Sequence, residues 1–426
     1  MRSSKTIKIT LCIFCILCLM VLTTLLEKES RSTSIETNEI STEQTVQMEE
    51  IILPQNYENI NLYAKSAVLI DGETNRILYG KNPMEQMPNA STTKILTCIL
   101  AIELGEMEQI CEVSDYARTM PETKCGFYKG DAFYLRDLLY SLMLESHNDS
   151  AVVIAESIGG SIEGFAQLMN EKTKEIGCSN TYFITPNGLD EVDATGVHGA
   201  SAYDLALIMN YCRKNEDFLD ITKTMEYRFS DTKGLHTYSV SNKNSFLNMQ
   251  SGVLTGKTGF TADAGYCYVC AYQENDRTYC LALLACGWPN NKNYKWQDAK
   301  ALIAYGNTYY EIRNVGEPEQ LIEVKIPKGV LLTKDGFSYE TTTQVISDGM
   351  QWEMLLGEQD TITTEMVYET TSLPIKKGRP AGALRYTVNG IFAGEQELFY
   401  TETVENGDFT WCFAYLLQEF LQKTSF

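Results

Sequence analysis

The chain has 426 residues, enough for two domains and a sizeable core, and a formal net charge of −21. It holds no block of Lys or Arg beyond short pairs, which excludes nucleic acid and an anionic membrane surface as electrostatic partners. A lysine kept for an anionic substrate stands out against that background.

The basic start "MRSSKTIK" precedes "ITLCIFCILCLMVLTTLL", Ile9 to Leu26, which carries no charge. Residues 1–26 are a secretory signal or a membrane anchor, and either places the rest outside the cytoplasm. The A-x-A pattern of a cleavage site is missing just after the segment, with Ser30 and Ser32 as poor substitutes. Residues 27–58, rich in Glu, Ser and Thr and free of Gly, read as a flexible linker. Cys12, Cys15 and Cys18 lie in the apolar segment, and the other ten cysteines follow no framework spacing. They read as buried small hydrophobes, and no pairing follows from sequence. Cys267-x-x-Cys270 is no redox pair, because residues three apart on a strand face opposite sides.

Order begins with "AKSAVLIDGETNRILYGKN", two strand-like runs around Asp71-Gly72 and a hairpin by turn chemistry. From Ser91 to about Gly188 the pattern is helical: Leu135, Leu138, Leu139, Leu142 and Met143 recur at helical spacing, as do Ala151, Ile154, Ala155 and Ile158. Strands return over about 225–287. Strands, then helices, then strands imply a sheet closed by the two ends of the segment, with a helical lobe. This region, 59–313, is the expected catalytic domain. A boundary near "NVGEPEQ" opens a small all-β C-terminal domain, 314–407. The tail 408–426 is an amphipathic helix with Phe409, Phe413, Leu416 and Phe420 on one face, suited to a membrane surface or to docking on the β domain.

Three short motifs carry chemistry. In "MPNASTTKILTCILAIELG", Ser91 stands just before an apolar periodic run, and Lys94 lies one helical turn on, its amine within reach of the hydroxyl. A serine hydroxyl becomes nucleophilic when a base takes its proton, and a lysine serves once burial or a neighbouring cation lowers its pKa. The copy Ser230-Asp231-Thr232-Lys233 opens no apolar helix and reads as a turn. "LMLESHNDSAVVIAE" places Ser146 and Asn148 in a break between helices, against the plainer reading of Asn148 or Asp149 as a cap. "SGVLTGKTGF" carries Lys257, Thr258 and Gly259. A phosphate loop would need a glycine where Ser251 stands and a helix downstream; a strand pattern follows instead, so no nucleotide is expected.

S-x-x-K, S-x-N and K-T-G in that order form the set shared by penicillin-binding proteins and class A β-lactamases. With "PNASTTKILT", "TYFITPNGLD", "HGASAYDLALIM", "GKTGFTADAGYC" and the late "LPIKKGRPAGAL", the chain resembles the low-molecular-mass penicillin-binding proteins, the serine D-alanyl-D-alanine carboxypeptidases. The resemblance implies an α/β (α+β) fold of the serine β-lactamase/DD-peptidase type, with an antiparallel sheet, a helical lobe and a trailing all-β domain. It implies Ser91 as acylated nucleophile, Lys94 as base, Ser146 as proton relay and Asn148 as anchor for a substrate amide. Lys257 and Thr258 would grip the terminal carboxylate, Gly259 would let substrate approach the backbone, and the N–H groups of Ser91 and Phe260 would form the oxyanion hole. The implied partners are the peptidoglycan stem peptide and β-lactams as covalent inhibitors, with membrane contact through the N-terminal segment and the C-terminal helix.

Two rival functions stay in view: a β-lactamase of the same fold, and a non-catalytic β-lactam sensor or wall-binding protein. No Glu-x-x-Leu-Asn follows the S-x-N element, and all three motifs are chemically intact. His147 stands where that family more often has glycine, and His198 lies in a segment that matches it. His236 has no evident partner. The three histidines lack metal-ligand spacing, so neither a metal nor a cofactor is expected.

Overall fold

The computed structural model describes residues 60–424 apart from 327–328, 334–335, 340–341 and 369–371; the N-terminal segment and its linker lie outside the described residues. Ser66–Asp71 (β1) and Ile77–Lys81 (β2) form the expected hairpin. Val253–Thr261 (β3), Gly265–Glu274 (β4) and Arg277–Leu284 (β5) complete an antiparallel sheet of order β2-β1-β5-β4-β3. β1 pairs with β5, from Ser66 opposite Leu284 to Asp71 opposite Tyr279, so the two ends of the region close the sheet.

Both faces of this sheet are covered, which is why its strands are apolar almost throughout. Val68, Ile70, Val269, Ala282 and Leu284 belong to one core, and Ala67, Leu69, Tyr268, Leu281 and Leu283 to another. The two-residue alternation divides them. Cys267 and Cys270 fall on opposite sides for the same reason. The first core is shared with the helical lobe, including Lys94–Leu104 (α1), Asn148–Gly159 (α2), Ile162–Ile176 (α3) and Ala202–Cys212 (α4), of which α4 packs on β1 and β5. The second lies under Tyr294–Tyr309 (α5), through Trp296, Leu302, Ile303 and Tyr305. α1 is buried from Lys94 to Ala101. At about 1.5–3 kcal/mol for each large aliphatic side chain, Ile95, Leu96, Ile99 and Leu100 anchor the helix that positions the site.

Beyond α5 the chain is all β until its tail. Tyr310–Val315 (β6) runs across the expected boundary at 313/314: it leaves α5 directly and pairs with Trp352–Gly357. The junction is made by a buried ion pair, Arg76 Nη1 to Asp360 at 2.7 Å, with Arg76 also donating to the Leu355 carbonyl. Tyr310 Oη donates to the Leu78 carbonyl at 2.7 Å beside it. The tail forms one helix, Phe409–Thr424 (α6), on which Phe409, Leu416 and Leu417 are exposed. Among the described residues no helix is long and apolar enough to cross a membrane, and all ten described cysteines are free thiols.

Candidate active site

Ser91 sits in a short 3-10 turn, Ala90–Thr93, that leads straight into α1. The residue before it, Ala90, has φ +49°, and Ser146 has φ +68°. Non-glycine residues in that region cost on the order of 1–3 kcal/mol and persist only where their surroundings hold them. Ala90 is held by a chain of hydrogen bonds. His198 Nδ1 accepts from the Ile184 N–H at 3.0 Å, which leaves its Nε2–H to donate to Thr93 Oγ1 at 3.0 Å. Thr93 Oγ1 in turn donates to the Ala90 carbonyl at 2.9 Å, and Asn89 Nδ2 donates to Thr93 Oγ1 at 2.9 Å. Burial pushes the His198 pKa down to about 4, so this ring is neutral and structural.

Lys94 is fully buried at the start of α1. Its Nζ lies 2.8 Å from each of three oxygens: Ser91 Oγ, Asn148 Oδ1 and the Asn187 carbonyl. Burial, and next the nearby Lys257, hold its pKa well below the ordinary lysine value, with Asp149 opposing. A neutral amine has two N–H donors and one lone pair. The Asn148 and Asn187 oxygens can only accept, so they take both N–H groups and leave the lone pair for the Ser91 hydroxyl. The three contacts would suit an ammonium equally well; it is burial, with Lys257 beside it, that favours the neutral amine, whose lone pair then faces the Ser91 hydroxyl.

Ser146 ends the helical turn Ser141–Glu145 and accepts from Lys257 Nζ at 2.8 Å. Lys257 also donates to its neighbour's carbonyl, Thr258 O, at 2.9 Å, and burial pushes its pKa down to about 7. β3 is the sheet's edge strand. Opposite Phe260, Tyr266 uses its N–H and C=O on Gly287 O and Cys286 N. The Phe260–Tyr266 pair is therefore the non-hydrogen-bonded kind, and the Phe260 N–H points off the free edge of β3. Gly259 brings that edge against the turn that holds Ser91: a Cβ there would lie 3.0 Å from the Ser91 nitrogen and from the Asn89 carbonyl. Gly188, at φ +82°, closes the other side, where a Cβ would stand 1.9 Å from the Ala90 carbonyl.

The structure brings Ser91, Lys94, Ser146, Asn148, Lys257, Thr258, Gly259 and Phe260 together. A cleft of about 830 Å³ is lined by Ser91, Ser146, Thr258, Gly259 and Phe260 among others. Asn148 is deeper than sequence reasoning placed it: besides receiving Lys94, it donates from Nδ2 to the Pro121 carbonyl at 3.2 Å. Neither it nor Asp149 caps α2 through its side chain, since the N-cap is His147. Asp149 instead receives the Cys125 and Gly126 N–H groups and fixes the loop beside the cleft. His147 is turned into the lobe, with Nδ1 on Ser141 Oγ at 2.8 Å, and burial lowers its pKa. His236 does have a partner, Asp131 at 2.9 Å. Ser230 and Lys233 flank a hairpin turn away from the site. Asn187 escaped sequence reasoning because its backbone oxygen is what acts, although the Pro-Asn-Gly turn chemistry around it was visible. Among the described residues no group of His, Cys, Asp and Glu is arranged to hold a metal.

A two-faced antiparallel sheet whose edge strand meets a serine served by a buried lysine defines a serine hydrolase of the penicillin-recognising class. The chain belongs to the D-alanyl-D-alanine carboxypeptidase family, peptidase S11, which matches residues 53–285, more than half of its length. The carboxypeptidase DacF of Bacillus subtilis is 29% identical over 354 residues, covering 81% of this chain and 87% of that protein. DacC of Escherichia coli is 25% identical over 374 residues, covering 83% and 88%. The crystal structure of the carboxypeptidase DacD from Francisella tularensis shares the fold with a TM-score of 0.62 at 21% identity, covering 84% of this chain and 96% of that one. Penicillin-binding protein 5 from Haemophilus influenzae gives 0.61 at 22% identity, covering 82% and 99%.

Proposed function

We infer that the chain is a serine-type D-alanyl-D-alanine carboxypeptidase whose acyl-enzyme forms on Ser91. The observation that supports the residue assignment is the fully buried Lys94 amine 2.8 Å from Ser91 Oγ, where burial and the nearby Lys257 favour its neutral form. Lys94 takes the Ser91 proton as Oγ attacks the carbonyl between the last two D-alanines of a stem pentapeptide. The N–H groups of Ser91 and Phe260 receive the developing oxyanion; such donors are commonly worth about 2.7–4 kcal/mol each. Lys257 and Thr258 hold the terminal carboxylate. Ser146, bonded to Lys257, relays a proton to the departing D-alanine amine. Water then cleaves the ester with Lys94 again as base. β-Lactams enter by the same attack and remain as acyl adducts.

We further propose that the protein works outside the cytoplasm, with the uncharged 9–26 segment as signal or anchor and 27–58 as linker. The catalytic domain spans 59–313, the β domain 314–407 and the tail helix 408–426. The apolar residues exposed on α6 support its lying on a membrane surface rather than docking on the β domain. The test is D-alanine release from a synthetic stem pentapeptide by the purified protein. The reading requires release by wild type and none by Ser91→Ala; binding without release would favour a non-catalytic receptor.

A further inference from the structure

The cleft is lined by more cations than the reaction uses. Besides the reacting groups, Lys243, Lys292, Lys295 and Lys300 border it, in a chain with 56 acidic residues against 35 basic ones. Lys243 is neutralised by Glu145 at 3.2 Å. Among the described residues, Lys292, Lys295 and Lys300 have no carboxylate within ion-pair distance, and Glu122 is the one other acid in the lining.

Lys292 and Lys295 stand at the start of α5, where cations are least welcome, and Lys300 follows in its second turn. The N-terminal end of a helix already carries partial positive charge, and acids are favoured there. The first turn of α5 contains none. Its first acid, Asp298, is buried and turned away, accepting the Ala64 N–H at 2.8 Å and the Cys286 thiol at 3.1 Å. Lys295 is more than nine-tenths buried. Its ammonium lies 4.7 Å from the centre of the Tyr266 ring and 4.5 Å from that of Trp296, and among the described residues its one hydrogen bond is to the Lys292 carbonyl. Ring faces and a carbonyl hold a cation in place without cancelling its charge. Burial lowers the Lys295 pKa to about 8, in keeping with a missing counter-ion.

We propose that Lys292, Lys295 and Lys300 form a subsite for a second anion of the substrate, the side-chain carboxylate of the stem-peptide residue that precedes the two D-alanines. The site selects stems whose third residue is a diamino diacid over stems with a simple lysine there, whose ammonium meets like charge. This rests on the carboxypeptidase reading and deepens it: Lys257 holds the carboxylate common to every stem, and the α5 lysines read the one that varies.

Three pentapeptides test it, identical except for a third residue bearing a free side-chain carboxylate, the corresponding amide, or lysine. D-Alanine release by the full chain should give kcat/KM in the order carboxylate, amide, lysine, with about tenfold between the extremes, a difference of about 1.4 kcal/mol. The spread should shrink as salt screens the exposed lysines. The double variant Lys292→Gln with Lys300→Gln changes exposed side chains, and thermal melts report its folding. It should lose rate on the carboxylate peptide and not on the lysine peptide, compressing the spread to about twofold or less. Lys295→Met should do the same through the buried member. Equal rates on all three peptides in wild type would overturn the subsite, as would equal losses on all three in the variants, which would mean that these lysines grip the shared terminal carboxylate. Release from no peptide by wild type would instead overturn the carboxypeptidase reading, and the subsite with it.

Discussion

Asn148→Asp probes the protonation state of Lys94 with almost no change in shape. Asn148 Oδ1 lies 2.8 Å from Lys94 Nζ, so the substitution sets a carboxylate at that distance. With an effective dielectric of about 20, opposite charges at this separation attract by about 6 kcal/mol, or roughly 4 pKa units. Desolvation of the new carboxylate offsets about half, leaving a rise of about 2 units. The new carboxylate shifts Lys94 toward its protonated form, which has no lone pair, and acylation of Ser91 by a fluorescent penicillin at pH 7 should slow, by up to about a hundredfold for a shift of 2 units. The substitution also removes the bond from Asn148 Nδ2 to the Pro121 carbonyl, which costs stability at every pH. The deciding readout is therefore the pH profile: the variant's rate should climb back as pH rises through the new, higher pKa. A wild-type rate, or a loss that alkaline pH does not recover, would refute the neutral-base argument.

Other expectations follow from the same geometry. Lys257 must be charged to hold a carboxylate, and its pKa is pushed down to about 7, so kcat/KM for pentapeptide should fall as pH rises above about 7; Lys257→Gln should remove that limb and lower kcat/KM by about a hundredfold, the scale of a lost charged hydrogen bond of up to ~3 kcal/mol. His198 binds no proton in the folded state until about pH 4, whereas the unfolded chain's histidine takes one near 6.5. Stability should therefore decline as pH falls from about 6.5 to 4, by about 3 kcal/mol from this residue, and urea melts of His198→Gln should lack that component. Asp360→Ala strands the buried Arg76 guanidinium and should cost about 3–5 kcal/mol, seen as earlier urea unfolding and faster proteolysis between the catalytic and β regions.

What the sequence made legible is what a side chain announces locally. The turn at Asp71-Gly72, the two-residue alternation of 265–284 and the helical spacing of 135–158 predict the sheet and lobe, and β1 beside β5 follows from their order. The three motifs converge as expected. What stayed hidden acts through backbone or through neighbours remote in sequence. The Asn187 carbonyl has no side-chain signature, and the left-handed Ala90 looks like any alanine. His198 supports it through Thr93, which lies 105 residues from the histidine. The α5 lysines read as an ordinary solvated face until the fold sets them around the cleft that holds Ser91. β6 blurs the expected boundary because a strand can leave one region and pair in the next without a break.

The most direct measurement is intact-mass analysis of the full chain after benzylpenicillin, with and without Ser91→Ala, followed by peptide mapping of any adduct. The account predicts one penicilloyl group per chain, on the peptide that contains Ser91, and none on the variant. An adduct that persists in Ser91→Ala, or that maps to Ser146 or another residue, would contradict it.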